Sequence, residues 1–138
     1  MKLFLLLFFT SCLAFVQTLK INISGIRNSS GTIRLAFYNT SESFDKEKPM
    51  LIKIEPKTKV ATGALSISYT GLKPGVYGIA ILDDENSNQK MDYGLILPKE
   101  GFGFSDYYHT GMSRPKFESF DFIFKNENKT IEIKLRYL

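Results

Sequence analysis

Val76-Tyr77-Gly78-Ile79-Ala80-Ile81-Leu82-Asp83-Asp84 carries apolar residues at both parities for seven positions and then stops on two acids. A short, continuous, β-rich apolar run ahead of polar residues reads as a central strand covered on both faces. The turn before it agrees, because Gly71-Leu72-Lys73-Pro74-Gly75 pairs a residue that fixes φ with one that accepts a positive φ.

On either side, apolar residues recur at a spacing of two, and β-branched and aromatic types dominate. Leu19-Ile21-Ile23 alternates with Lys20, Asn22 and Ser24, and Arg27 to Gly31 supplies a turn before Thr32 to Tyr38. These two segments read as a hairpin. Leu51 to Ile54 and Ala64 to Tyr69 are further strands, and Phe120 to Phe124 with Thr130 to Tyr137 read as a closing pair turned by Lys125 to Lys129. Asn39 to Pro49 is polar and proline-terminated, which predicts a loop crossing between sheets. No stretch of a dozen residues shows a helical period. The expected fold is all-β, an antiparallel sandwich of about seven strands, immunoglobulin-like or transthyretin (prealbumin)-like.

The chain has 138 residues. Met1-Lys2 followed by Leu3 to Phe9 is a basic start joined to an apolar run shorter than the roughly 20 residues of a membrane span, and it reads as a secretory signal peptide. Residues 1–18 are assigned to that leader and 19–138 to a single domain, exported to the periplasm or outside the cell; acylation at Cys12 is the weaker alternative. No transmembrane span is expected in the mature chain. Cys12 is the only cysteine, so the domain has no disulfide to hold it. The formal charge of +4 is spread among acids, without the basic stripe of a nucleic-acid reader.

The chemistry-bearing segment begins where the central strand ends. Asp84, Asn86, Asn88 and Asp92 stand at positions 1, 3, 5 and 9 of a loop, and position 7, Lys90, offers a backbone carbonyl. Hard cations take about 6–8 oxygens, and calcium loops of the EF-hand type use this spacing. Gln89 occupies the position where such loops carry glycine and Leu95 the position of their bidentate glutamate, so the expectation is a weak calcium site completed by a remote carboxylate. Glu100 is the first candidate for that carboxylate, with Asp83 and Asp106 behind it. The competing reading is a polar turn whose side chains bond their own backbone.

The long connection from Gly94 to His109 is rich in glycine and aromatics. Phe102, Phe104, Tyr107 and Tyr108 are candidates for a stacking surface for carbohydrate or peptide, against the alternative that they cap the open end of the sandwich. Ser105, Asp106 and His109 lie close in sequence, but no nucleophile elbow surrounds the serine. No catalytic residue is assigned, and the chain is expected to be a non-enzymatic module with a structural role or an envelope or surface partner.

Leu72 to Asn88, Lys90-Met91-Asp92, Gly94 to Ser105 and Arg114-Pro115-Lys116-Phe117 together resemble the bacterial secreted proteins grouped as domain of unknown function 2141. Those proteins carry a Pro-Gly-x-Tyr turn, a His-Asp-Glu-Asn-x-Asn stretch and a Gly-Ile-Pro-x-Glu-Gly-x-Gly-Phe-Ser segment. Here Asp83 stands where many members have histidine, and Leu97 is inserted between Gly94 and Pro98. The resemblance implies export, the sandwich and the importance of the loop, and it implies no reaction. The Leu72 to Tyr77 turn is also similar to that of transthyretin-like and carboxypeptidase-regulatory-like sandwiches, a fold-level analogy only.

Overall fold

The structure, a computed structural model, describes residues 16–60 and 63–138. The leader assigned to residues 1–18, including Cys12, lies almost wholly outside the described residues. Among the described residues, eight strands form two sheets. They are β1 (Thr18–Ser24), β2 (Thr32–Tyr38), β3 (Leu51–Pro56), β4 (Ala64–Thr70), β5 (Gly75–Asp84), β6 (Gly101–Phe104), β7 (Asp121–Phe124) and β8 (Lys129–Lys134). One sheet has the order β4-β1-β8, and the other the order β3-β2-β5-β6 with β7 also paired to β5.

The period-two pattern explains what faces inward. Leu19, Ile21 and Ile23 of β1 pack with Ile131 and Ile133 of β8, and opposite them stand Ile33, Leu35 and Phe37 of β2 and Ile79 and Ile81 of β5, all buried in one core. β5 is central as its two-sided apolar pattern requires. It pairs with β2 along one edge and with β7 and then β6 along the other. Its second face is covered by another cluster, in which Phe44, Phe104, Phe117 and Phe120 pack on Ala36 and Tyr38.

Three expectations fail on strand partnership. β1 and β2 are not a hairpin: β1 pairs antiparallel with β4 and β2 pairs with β3 and β5, so Arg27 to Gly31 carries the chain from one sheet to the other. The closing pair also splits, since β7 joins β5 while β8 runs parallel to β1. Asn39 to Pro49 stays within one sheet, linking β2 to β3, and contains a five-residue helix, α1 (Ser41–Asp45), capped by the Thr40 hydroxyl on the Ser43 amide. In each case the local pattern fits equally well with the wrong neighbour, and burial of the whole face decides.

β6 lies inside what reads as a loop. A Cβ on Gly101 would fall 2.4 Å from the Tyr137 ring, and one on Gly103 would fall 2.7 Å from Ile133. The core-side positions of this strand are glycine because neighbouring side chains already fill the space. Among the described residues, no helix is long and apolar enough to cross a membrane.

Candidate functional site

The alternation of β5 sends its two terminal acids to opposite faces. Tyr77, Ile79 and Ile81 face the core and Asp83 follows them inward, whereas Asp84 points with Leu82 to the other side. Asp83 therefore does not join the loop. It is fully buried, takes a hydrogen bond from Lys57 Nζ at 2.5 Å and another from the Tyr137 hydroxyl at 2.6 Å. Lys57 is 1 % exposed and also donates to Asn28 Oδ1. Burial, followed by the hydrogen bond to Asp83, pushes the Tyr137 phenol well above its ordinary range. Above this pair, Arg27 holds Glu85 through two hydrogen bonds, and that contact outweighs burial to pull the Glu85 carboxyl below its ordinary value. The start of the loop is thus pinned from β5, from the 25–31 crossing and from the C-terminus.

Gly31 allows this closeness. Its φ is +75°, and a Cβ there would lie 2.0 Å from the Asp84 carbonyl oxygen, so any side chain would push the crossing off the loop.

In the loop itself, Asp84 accepts hydrogen bonds from the amides of Asn88 (3.0 Å) and Gln89 (2.6 Å). Asn86 Oδ1 accepts from the Asn88 amide and Asn88 Oδ1 from the Lys90 amide, both as Asx turns. The side-chain amides of Asn86 and Asn88 both donate to the Asp92 carboxylate, at 2.5 Å and 3.1 Å. The side chains at positions 3 and 5 therefore meet the one at position 9 through their nitrogens, while both Asn oxygens and both Asp84 oxygens accept the loop's own amides, as the polar-turn reading expects. Gln89, in the glycine position, makes the bend with φ at 63°, and Ser87 has φ at 59°. An exposed glutamine in the left-handed region is strained by roughly 1–2 kcal/mol. Gln89→Gly is expected to stabilise the chain by up to about 1 kcal/mol after the extra entropy of the unfolded glycine is counted, read from urea midpoints; a loss of stability would show that the Gln89 side chain holds the bend.

Glu100 does reach the loop. It is 4 % exposed, and its two oxygens accept the amides of Glu85 and Asp92, both at 3.1 Å. The hairpin tip between them closes through Gly94 N–H on Leu97 O and Lys99 N–H on Asp92 O, which sets Glu100 beside Asp92 despite the inserted Leu97. Burial, joined by the charges of Asp92 and Asp84, pushes the Glu100 carboxyl above its ordinary value even though the two amides oppose this. Asp106 is elsewhere, accepting the Glu132 amide. Among the described residues no three His, Cys, Asp or Glu side chains are grouped as a metal centre, so any donor set here mixes carboxylate, amide and carbonyl oxygens.

The aromatic candidates part company. Phe104 is buried in the second cluster, Phe102 and Tyr107 pack against that cluster, and Tyr108 is exposed with Lys134 over its ring. Ser105 is fully buried, donating to the Phe120 carbonyl and accepting the Ile79 amide, and His109 Nε2 meets the Ser113 carbonyl. Ser105, Asp106 and His109 share no hydrogen bond.

The residues that sequence reasoning missed are Lys57 and Arg27. Each sits in a polar stretch that looks solvated, and each finds its acid 26 or 58 residues away. Against known proteins, the family model described as "Uncharacterized protein conserved in bacteria (DUF2141)" matches residues 21–132. No curated protein and no solved structure matches the chain.

Proposed function

The chain belongs to this family of uncharacterized bacterial proteins, and from that premise we propose that it is an exported, non-enzymatic β-sandwich module whose Asp84 to Asp92 loop takes a calcium ion. The ion fixes the connection that follows β5, for a structural or partner-binding role. One observation carries the reading. Asp84 and Glu100 are almost wholly buried, yet neither they nor Asp92 has a lysine or arginine partner among the described residues, while the acids beside them, Asp83 and Glu85, both do. Buried charges are paired or coordinate metals.

The donors fit the ion. Calcium takes 6–8 oxygens with flexible geometry, and Asp84, Asn86, Asn88, Asp92, the Lys90 carbonyl and Glu100 supply carboxylate, amide and carbonyl oxygens on one short loop and its neighbour. Such an ion would neutralise the mutual repulsion of the three carboxylates. Two charged inner ligands and one remote one suit a weak site, sufficient where calcium is abundant.

Thermal melting tests this. A ligand that binds only the folded state stabilises it by about 2.7 kcal/mol at one hundred times its Kd, so millimolar calcium should raise Tm by several degrees. Asp84→Ala with Asp92→Ala should abolish the rise, and an unchanged wild-type Tm would sink the claim. The pH dependence supplies a second reading. With Glu100 raised in the folded state, the folded chain holds the proton more tightly, so in chelator stability should fall as pH rises from 4.5, the ordinary glutamate value, through the raised one. Calcium should flatten that slope by competing with the proton.

A further inference from the structure

The outer face of the five-stranded sheet carries a groove that the cation loop does not explain. It has a volume of 410 Å³ and lies between the loop and α1. Register builds its floor: Arg34, Ala36 and Tyr38 of β2 stand opposite Leu82, Ala80 and Gly78 of β5 on the face turned away from the main core. The small Ala36 and Ala80 make the hollow, Met91 and Tyr93 form one wall, and Arg114 with Glu47 forms the other.

The charges in this groove are unbalanced. Three cations line it, Arg34, Lys90 and Arg114, against the single carboxylate of Glu47. Glu47 is taken by Arg114 at 2.6 Å, and Arg114 also donates to the Phe44 carbonyl and lies over the Phe44 ring. The side chains of Arg34, half-buried, and Lys90 have no acidic or hydrogen-bonding partner among the described residues. Tyr38 is 6 % exposed and lines the groove, and its hydroxyl makes no hydrogen bond among the described residues. Burial raises the Tyr38 phenol above its ordinary value while the charges of Arg114 and Arg34 oppose it.

We infer that this groove binds a small organic anion, a carboxylate on an apolar or aromatic body, with Arg34 and the Tyr38 hydroxyl on the charged group and Ala36, Ala80, Leu82 and Met91 around the body. Arg34 and the Tyr38 hydroxyl, both without a protein partner among the described residues, are free to donate to an acceptor in the groove, and charge-assisted bonds are about twice as strong as neutral ones. The volume lies within the roughly 300–1,000 Å³ of small-molecule sites. The aromatic residues 102 to 108 take no part.

The test is a titration of the isotope-labelled full chain by two-dimensional NMR with naphthoate and, separately, with naphthylmethanol, a neutral molecule of similar size. Naphthoate should shift the amides of Arg34, Ala36, Ala80 and Leu82 and bind about tenfold or more tightly than the alcohol, a difference of about 1.4 kcal/mol. Arg34→Met, which keeps an apolar stem, should erase the preference for the charged probe. Lys90→Met, on an exposed loop, should weaken it in the same direction and serves where Arg34→Met does not fold. Equal affinity for the two probes, shifts confined to other surfaces, or no binding of naphthoate at millimolar concentration would each overturn the assignment.

Discussion

Lys57→Met is expected to lower the unfolding free energy by about 3–5 kcal/mol, the usual cost of leaving one partner of a buried ion pair alone. Lys57 and Asp83 both have fully buried side chains, and the ammonium is the only cation on that carboxylate among the described residues. Methionine fills most of the volume, so the loss reports charge and not a cavity. The Tyr137 hydroxyl would remain on Asp83, but a single neutral donor cannot replace an ammonium. Lys57→Met combined with Asp83→Asn should recover much of the loss, because removing both charges also removes the cost of burying them. Urea denaturation of the two variants decides the matter: a single variant within about 1 kcal/mol of wild type would show that the pair is not what pins the end of β5. Calcium binding by the double variant then asks whether the loop needs that anchor.

Phe120→Ala should cost a similar amount, about 3–5 kcal/mol, and for a different reason. Phe120 is 1 % exposed and its ring lies 4.9 Å from that of Phe44, 5.0 Å from Phe104 and 5.5 Å from Phe117. The cluster is the second, smaller core on the outer face of the sheet, and it joins α1, β6 and the segment before β7. Its backbone carbonyl also accepts the buried Ser105 hydroxyl, whose oxygen in turn accepts the Ile79 amide of β5. Truncation leaves a void among rings that are fixed to different elements and cannot all close in. The lost signal should appear in near-ultraviolet circular dichroism as well as in the urea midpoint. A change below about 1 kcal/mol would mean that the cluster repacks freely and does not brace the connection from Gly94 to His109.

The two cores account for how the site is held. The loop is fastened at its entry by buried charges and at its exit by Glu100, while the groove beyond it is floored by the same strand, β5. A cation in the loop would therefore set the wall that carries Lys90, Met91 and Tyr93. Calcium should consequently sharpen naphthoate binding without being required for it.

What the sequence determined by itself was whatever depends on short spacing. Strand patterning emerged from alternation at two residues, the central position of β5 from its two-sided apolar run, and the meeting of Asn86, Asn88 and Asp92 from polar side chains at positions 3, 5 and 9 of one short loop. Glu100 was legible too, because it follows a short hairpin tip and so cannot travel far from Asp92. Only the tertiary structure decided which strands pair, that Asp83 turns to Lys57 while Asp84 turns to the loop, and that Gly101 to Phe104 is a strand. It alone brought Arg34 and Tyr38, whose side chains have no hydrogen-bonding partner among the described residues, to a common groove. The physical reason is the same in each case: a period of two fixes which residues share a face, but the identity of the partner across that face depends on burying both sheets at once, through contacts between residues far apart in the chain.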